Sequence, residues 1–321
     1  MGSILSVRDL SKHFRVSKRG LVKAVDGVSF DIEQGEILGL VGESGCGKTT
    51  LGRTIKRIYE PDGGRIVFEG RDIAHAGKDE LRAYARRAQM IFQDPYSSLD
   101  PRMTVAEIVG EGMAIHKLYG PGRIRERTIE LLELVGLNSE HASRFPHEFS
   151  GGQRQRVGIA RALALEPRFL VCDEPISALD VSIQAQIVNL FKRLRDRLEL
   201  TYLFVAHDLA MVRYIADRVA VMYLGRIVEV AGSDELYRNP AHPYTELLLS
   251  AIPIPDPRVE AGREAPGQVP EMASPLEPRE GCSFSGRCAY AGEGCATRGG
   301  ELFELSPGHY VACDAAAKRR R

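Results

Sequence analysis

Polar and apolar residues alternate through the first 35 positions, as in Ile4-Leu5-Ser6-Val7 and Ala24-Val25-Asp26-Gly27-Val28-Ser29-Phe30, with Gly20, Gly27 and Gly35 as punctuation. A period of two predicts short antiparallel strands with one buried face. Continuous apolar runs follow at Ile37–Val41, Phe169–Cys172 and Tyr202–Ala206. Runs of that length predict strands buried on both faces, as in a parallel sheet. Leu51–Ile58 and residues 79–88 read as helices, Pro61-Asp62-Gly63-Gly64 as a turn, and Arg65–Phe68 as a strand. From about 95 to 165 strand patterns vanish, and stretches at 104–115 and 123–135 predict a helical insert. Strand–helix alternation resumes at Phe169 and runs to about 225. Beyond 252 prolines and glycines rise, beginning Pro253, Pro255 and Pro257, which predicts a linker into a small cysteine-bearing tail. The expectation is an α/β fold over residues 1–252, with linker and tail at 253–321.

Composition narrows this only a little. A chain of 321 residues with 44% hydrophobic residues can bury a large core. Its formal charge of zero supplies no basic field for nucleic acid. No apolar run approaches the ~20 residues of a spanning helix, so any membrane role is expected to come through partners. No secretory signal is expected. Met1-Gly2-Ser3-Ile4-Leu5-Ser6 matches a myristoylation pattern but reads more simply as an ordinary start. Lys318-Arg319-Arg320-Arg321 reads as a solvated tail rather than a lipid contact.

Chemistry enters at Gly42-Glu43-Ser44-Gly45-Cys46-Gly47-Lys48-Thr49-Thr50, which fits G-x-x-x-x-G-K-[ST] directly after an apolar run and before helix-tolerant sequence. Glycines let successive backbone N–H groups face one anion, and the helix start adds its positive dipole end. Lys48 suits the outer phosphates, and the Thr49 hydroxyl suits Mg²⁺. A plain glycine-rich turn would not place Lys and Thr in this register.

Three apolar runs end in residues suited to phosphate chemistry: one at Gly42, one at Asp173-Glu174 and one at His207. Parallel sheets bind ligands at the carboxyl ends of their strands, so the three ends are expected to converge. Asp173 then suits Mg²⁺, Glu174 the attacking water, and His207 the γ-phosphate. Taken alone, Asp173-Glu174 could be a solvated strand end. Ser150-Gly151-Gly152-Gln153 precedes a helix-favouring run, with Ser150 as N-cap and the glycines leaving backbone N–H groups open to a second anion contact. A second phosphate site makes sense if it closes over nucleotide held by another protomer.

With these motifs the chain resembles the ATP-binding subunits of ABC transporters over nearly its whole length. The matching residues are GESGCGKTT, Gln93 in MIFQDPYSSLDP, FSGGQRQR, FLVCDEP, SALD ending at Asp180, and His207; Phe149 stands where the family usually has Leu. The resemblance implies a P-loop NTPase core of ABC type with an antiparallel β subdomain and a helical subdomain. It implies that Gln93 joins the metal site to the membrane-subunit contact, that Asp180 lies at a dimer interface, and that Phe14 stacks on adenine; a core strand aromatic is the plainer reading of Phe14. It implies glutamate and histidine catalysis by Glu174 and His207, with Mg²⁺ at Thr49, Gln93 and Asp173. Asn239-Pro240-Ala241-His242-Pro243-Tyr244-Thr245 resembles the C-terminal segment of the oligopeptide/dipeptide importer branch. That implies peptide import by a heterodimer with a homologous ATPase, on two permease subunits at the cytoplasmic face of the inner membrane, served by an extracytoplasmic substrate-binding protein. Related carriers of nickel or other solutes share these motifs. Soluble ABC ATPases usually carry tandem cassettes or long coiled-coil inserts, and this chain has neither.

Six cysteines complete the reading. Cys46 and Cys172 read as small packed residues. Cys282, Cys288, Cys295 and Cys313 cluster in the tail with spacing C-x₅-C-x₆-C-x₁₇-C. Four thiols in a core-poor segment suggest metal. The close Cys pair usual in zinc sites is missing, and an iron–sulfur cluster also takes four thiolates. The importer resemblance implies a 4Fe–4S cluster on these four, zinc being the alternative; Ser283 and Ala289 stand where the family often has Pro.

Overall fold

The computed structural model describes residues 2–16, 20–252, 281–297 and 301–319. The expected linker from Pro253, and Met1, Arg320 and Arg321, lie outside the described residues. Instead of several short strands, the N-terminal alternation folds into two long ones, β1 (Ser3–Arg15) and β2 (Leu21–Glu33). They pair antiparallel, and the interruption at Gly27 is a break in register between Leu10↔Val28 and Lys12↔Val25 rather than a turn. β3 (Ile37–Val41) leads through the glycine-rich loop into α1 (Lys48–Ile55). Then come β4 (Gly63–Phe68), β5 (Arg71–Asp72), α2 (Lys78–Arg87) and β6 (Ala88–Ile91). The first sheet has the order β2-β1-β4-β5.

Between Ile91 and Phe169 the chain carries α3 (Val105–Ile115), α4 (Pro121–Leu134) and α5 (Gly151–Leu163), with no strand. Local chemistry starts two of these helices. Thr104 and Glu107 satisfy each other's backbone N–H groups ahead of α3, and Ser150 and Gln153 do the same ahead of α5. Strand–helix alternation then runs through β7 (Phe169–Asp173), α6 (Val181–Leu198), β8 (Thr201–Val205), α7 (Leu209–Ile215), β9 (Arg218–Tyr223), β10 (Arg226–Gly232), α8 (Ser233–Arg238) and α9 (Pro243–Ser250).

The second sheet is the spine, in the order β11-β12-β10-β9-β3-β8-β7-β6, where β11 is Phe303–Ser306 and β12 is His309–Val311. The five strands from β9 to β6 are parallel, and β10, β12 and β11 continue antiparallel. Every residue of β3, β7 and β8 is buried, because both faces are covered. Alternate residues feed two cores, as the strand period of two requires. Ile37, Leu170, Cys172, Tyr202 and Phe204 pack with the helical segment and α6. Leu38, Leu40, Phe169, Val171, Leu203 and Val205 pack with the first sheet and α1.

The tail shares this architecture. β12 pairs with β10, and Phe284, 3% exposed, belongs to the larger core. A buried polar knot pins the join: Glu229 of β10 accepts from the N–H groups of Ala241 and His242 at 2.7 and 2.9 Å, and from His309 Nε2 at 2.7 Å. His242 in turn caps α9, its Nδ1 accepting from the Tyr244 N–H at 3.1 Å. Burial pushes the His242 imidazole down to about 4, against the field of Glu229. The unfolded chain therefore takes up a proton that the folded chain refuses, and stability falls as pH drops from the unfolded value through the folded one. Chemical denaturation from pH 7 down to 4 should show a loss of about 3 kcal/mol from this group. His242→Asn, which can cap but does not titrate, should flatten that part of the profile.

Candidate functional site

The carboxyl ends of β3, β7 and β8 open onto one cavity of about 910 Å³. Of the nine residues expected to bind nucleotide in the glycine-rich run, Ser44, Gly45, Cys46, Gly47, Lys48, Thr49 and Thr50 line it. Gln93, Glu174, His207 and Phe14 line it too. Gly42 and Glu43 do not. The glycine-rich loop bends through left-handed backbone at Gly45 and Gly47, with φ of 80° and 111°. Lys48 is 4% exposed, and its ammonium donates to the carbonyls of Gly42 and Glu43 at 2.7 and 2.9 Å. That parks the charge under the loop, facing the space an anion would fill.

Two side chains meet at the Glu174 carboxylate. Gln93 Nε2 donates to Glu174 Oε2 at 3.0 Å, and His207 Nδ1 stands 3.3 Å from the same oxygen. Glu174 itself sits at φ 45° with its N–H bonded to the Val205 carbonyl, so β8 sets its direction. The arrangement presents one carboxylate oxygen to the cavity with two polar side chains steering it, which suits a group that accepts a proton from water.

Asp173 is fully buried next to it. Thr49 Oγ1 donates to its Oδ1 at 2.8 Å. Its Oδ2 is buried without a hydrogen-bond partner, and Arg53 Nε lies 3.8 Å away, beyond bonding distance. Burial raises the Asp173 carboxyl above its usual range, opposed by Thr49 and the charges of Arg53 and Lys48. A hydroxyl and a buried carboxylate with one unpaired oxygen are hard oxygen donors of the kind Mg²⁺ takes, so these residues fit that cation, although Asp173 itself does not line the cavity. Arg53 was missed in the sequence; nothing in its spacing signals that α1 turns it toward β7.

Phe14 is half-buried at the cavity mouth with Tyr59 edge-on at 5.5 Å and Lys12 Nζ 5.6 Å from its centroid. It packs in neither core, which removes the plainer reading of it as a core aromatic. Ser150, Gly151, Gly152 and Gln153 do not line the cavity of their own chain, and neither does Asp180, the exposed N-cap of α6.

Cys46 and Cys172 are buried, and burial raises both thiols above the ordinary range, so they are packed and unreactive. In the tail, Cys282 Nα donates to the Cys295 carbonyl at 2.8 Å. Burial raises the Cys282 thiol, and the neighbouring thiols of Cys295, Cys313 and Cys288 raise it further. The other three thiols thus act on that of Cys282. Among the described residues, however, no three His, Cys, Asp or Glu side chains are gathered closely enough to hold a metal ion. Also among the described residues, no helix is long and apolar enough to cross a membrane.

Residues 25–177 match the family model described as ABC transporter, and residues 228–295 match that described as oligopeptide/dipeptide transporter, C-terminal region. The chain is 55% identical over 311 residues to the putative oligopeptide transport ATP-binding protein YkfD of Bacillus subtilis, covering 97% of this chain and 94% of that one. It is 54% identical over 315 residues to the oligopeptide transport ATP-binding protein OppF of the same organism, covering 98% and 97%. Among solved structures, cbiO1 from Clostridium perfringens, part of the ABC transporter complex cbiONQ, aligns with TM-score 0.67 and 28% identity over 74% of this chain and 92% of that one. The dimeric cassette MJ0796 bound to ADP and Pi aligns with TM-score 0.64 and 27% identity over 71% and 98%.

Proposed function

Because the chain belongs to the ABC transporter family, we propose that it is the ATP-hydrolysing subunit that powers import of oligopeptides, with the cavity above as its catalytic half-site. The observation that carries this reading is the meeting of Gln93, Glu174 and His207 at one carboxylate oxygen beside the glycine-rich loop. Lys48 leaves its two loop carbonyls for the β- and γ-phosphates, and the loop N–H groups from Ser44 to Thr50 wrap the same anion. Thr49, Asp173 and Gln93 would hold Mg²⁺, which would neutralise charge on the phosphate oxygens. Glu174 takes a proton from water as the water oxygen bonds to the γ-phosphorus and the bond from that phosphorus to the bridging oxygen breaks, ADP leaving with the electron pair. His207 stays over the phosphate and steers Glu174.

Phe14 gives the base a face to stack on. Phe14→Ala should weaken ATP about tenfold, within the range measured for a lost base–aromatic stack. GTP should weaken equally, since stacking reads no base edge; competition of each against mant-ATP checks both.

The second phosphate contact comes from another chain. Ser150 starts α5 outside its own cavity, with Gly151 and Gly152 leaving the first N–H groups bare. In a dimer this start faces the neighbour's γ-phosphate, a contact present only when closed, and that difference drives the cycle. The partner is a homologous ATPase, and Asp180 belongs to the same interface. The helical segment around 95–165 turns with Gln93 and meets two permease subunits at the cytoplasmic face of the membrane. A substrate-binding protein delivers peptide from the other side. Residues 1–252 form the motor, and 253–321 its linker and tail. Cys282, Cys288, Cys295 and Cys313 would supply the four thiolates of a 4Fe–4S cluster that staples the tail, zinc being the alternative; their sequence spacing supports this, and the four would have to draw closer than the described residues place them. Anaerobically purified brown protein with iron and sulfide in equal amounts is the expected result, and colourless protein with stoichiometric zinc the contrary one.

The test of function is uptake of labelled short peptides by cells lacking the gene, then restored with the chain or with Lys48→Ala. Restoration by the first alone is expected. Uptake that is normal without the chain would overturn the assignment.

A further inference from the structure

Glu43 is the second residue of the glycine-rich run, yet its side chain faces the tail. Arg287 Nη1 and Nη2 donate to its two carboxylate oxygens at 2.6 and 2.9 Å. Its N–H donates to Tyr244 Oη at 2.8 Å, and its carbonyl accepts from Lys48 Nζ at 2.9 Å. One loop residue is thus held at three points, two of them by segments two hundred residues or more downstream. Arg287 is itself seated: its side chain is 9% exposed, and its guanidinium lies 5.7 Å from the Phe284 centroid and 5.9 Å from that of Tyr223. Phe284 packs against Tyr223, Tyr244 and His242. Arg287 immediately precedes Cys288, so the fold of the tail and the posture of the loop are one unit.

We propose that Arg287 is a positioning residue through which the tail braces the phosphate loop and cancels the charge of Glu43. The inference rests on the ATPase reading and deepens it. Two physical effects act together. The paired guanidinium fixes the Glu43 carbonyl, one of the two seats from which the Lys48 ammonium must depart toward phosphate. It also neutralises a carboxylate that would otherwise stand unpaired beside a polyanion, where like charges repel over several ångströms. Arg287 touches neither nucleotide nor water in this scheme; it acts through Glu43.

The experiment uses the full-length chain, titrated with mant-ATP and assayed for ATP hydrolysis. Arg287→Ala should raise the mant-ATP Kd and the KM for ATP about tenfold, the size expected for loss of one charge-assisted bond, and change kcat less than twofold. The loss should shrink at high salt, because part of it is repulsion by the freed carboxylate. Glu43→Gln added to Arg287→Ala should recover part of the affinity, the share lost to the freed carboxylate, and leave unrecovered the share lost with the brace. A structural role for Arg287 would not be rescued at Glu43. The proposal is overturned if Arg287→Ala keeps Kd within twofold of the parent, and its charge-cancelling half is overturned if the double variant binds as poorly as the single one with the same salt dependence. Parent protein that binds no mant-ATP would overturn the nucleotide reading, and the brace with it.

Discussion

Glu174→Gln should cut ATP turnover about a thousandfold, within the range a positioned general base contributes, while leaving ATP affinity within a few-fold of the parent. The substitution keeps the shape of the side chain. Gln93 can still donate to the remaining amide oxygen, and the backbone N–H still reaches Val205. What it removes is the ability to take the proton of the attacking water. Because phosphate is then not released, the closed state should persist, and gel filtration with MgATP should show the variant held with its homologous partner ATPase where the parent shows exchange. Phosphate release and mant-ATP titration separate the two effects. A variant that turns over at the parent rate would return Glu174 to the role of a spacer and leave water activation without an owner.

Gly47→Ala should abolish measurable nucleotide binding, a loss of about a hundredfold or more, although it adds one methyl group. Gly47 sits at φ 111°, and a Cβ there would lie 2.0 Å from the Ala24 carbonyl oxygen and 3.0 Å from Met222 Cε. The first of these is backbone of β2 and cannot swing aside, so the loop must move, and Lys48 moves with it. Gly35→Ala is the control. That residue also has positive φ, at 79°, but a Cβ there meets nothing within 4 Å. It should cost about 1 kcal/mol of backbone strain and leave ATP binding intact. Melting curves and mant-ATP titrations on both variants separate strain from crowding. Equal loss of binding in the two would mean that backbone conformation alone governs the loop.

Both predictions use sites that were legible along the chain. Lys48 and Thr49 stand in a fixed spacing after an apolar run, and the runs ending at Asp173-Glu174 and His207 share that character. The physical reason is local: a buried parallel strand must be apolar throughout, and the first polar residue after it stands at the sheet's ligand-binding edge. Ser150 was legible as a cap for a similar reason, since a helix start needs its cap within a few residues. The length of β1 and β2 was not. Interrupted alternation reads alike whether a turn or a register break causes it, and pairing with β4 decides between them.

The residues that sequence reasoning missed act across long separations. Arg53 lies in α1 and faces Asp173. Arg287 looks like one polar residue in a cysteine-rich tail, yet it holds Glu43 in the phosphate loop. Glu43 looked like a nucleotide contact because it sits inside the motif; its side chain turns the other way.

Taken by itself, the order of residues determined the α/β class, the phosphate loop, the strand ends that meet at one cavity and the capped start of α5. Each follows from backbone periodicity or capping within a few positions. Only the tertiary structure decided that the tail extends the main sheet, that Glu174 is steered by Gln93 and His207 together, and that the phosphate loop leans on Arg287 and Tyr244. Those contacts join segments far apart in the chain. Their strength comes from burial and distance, which exist only once the sheet has brought the segments together.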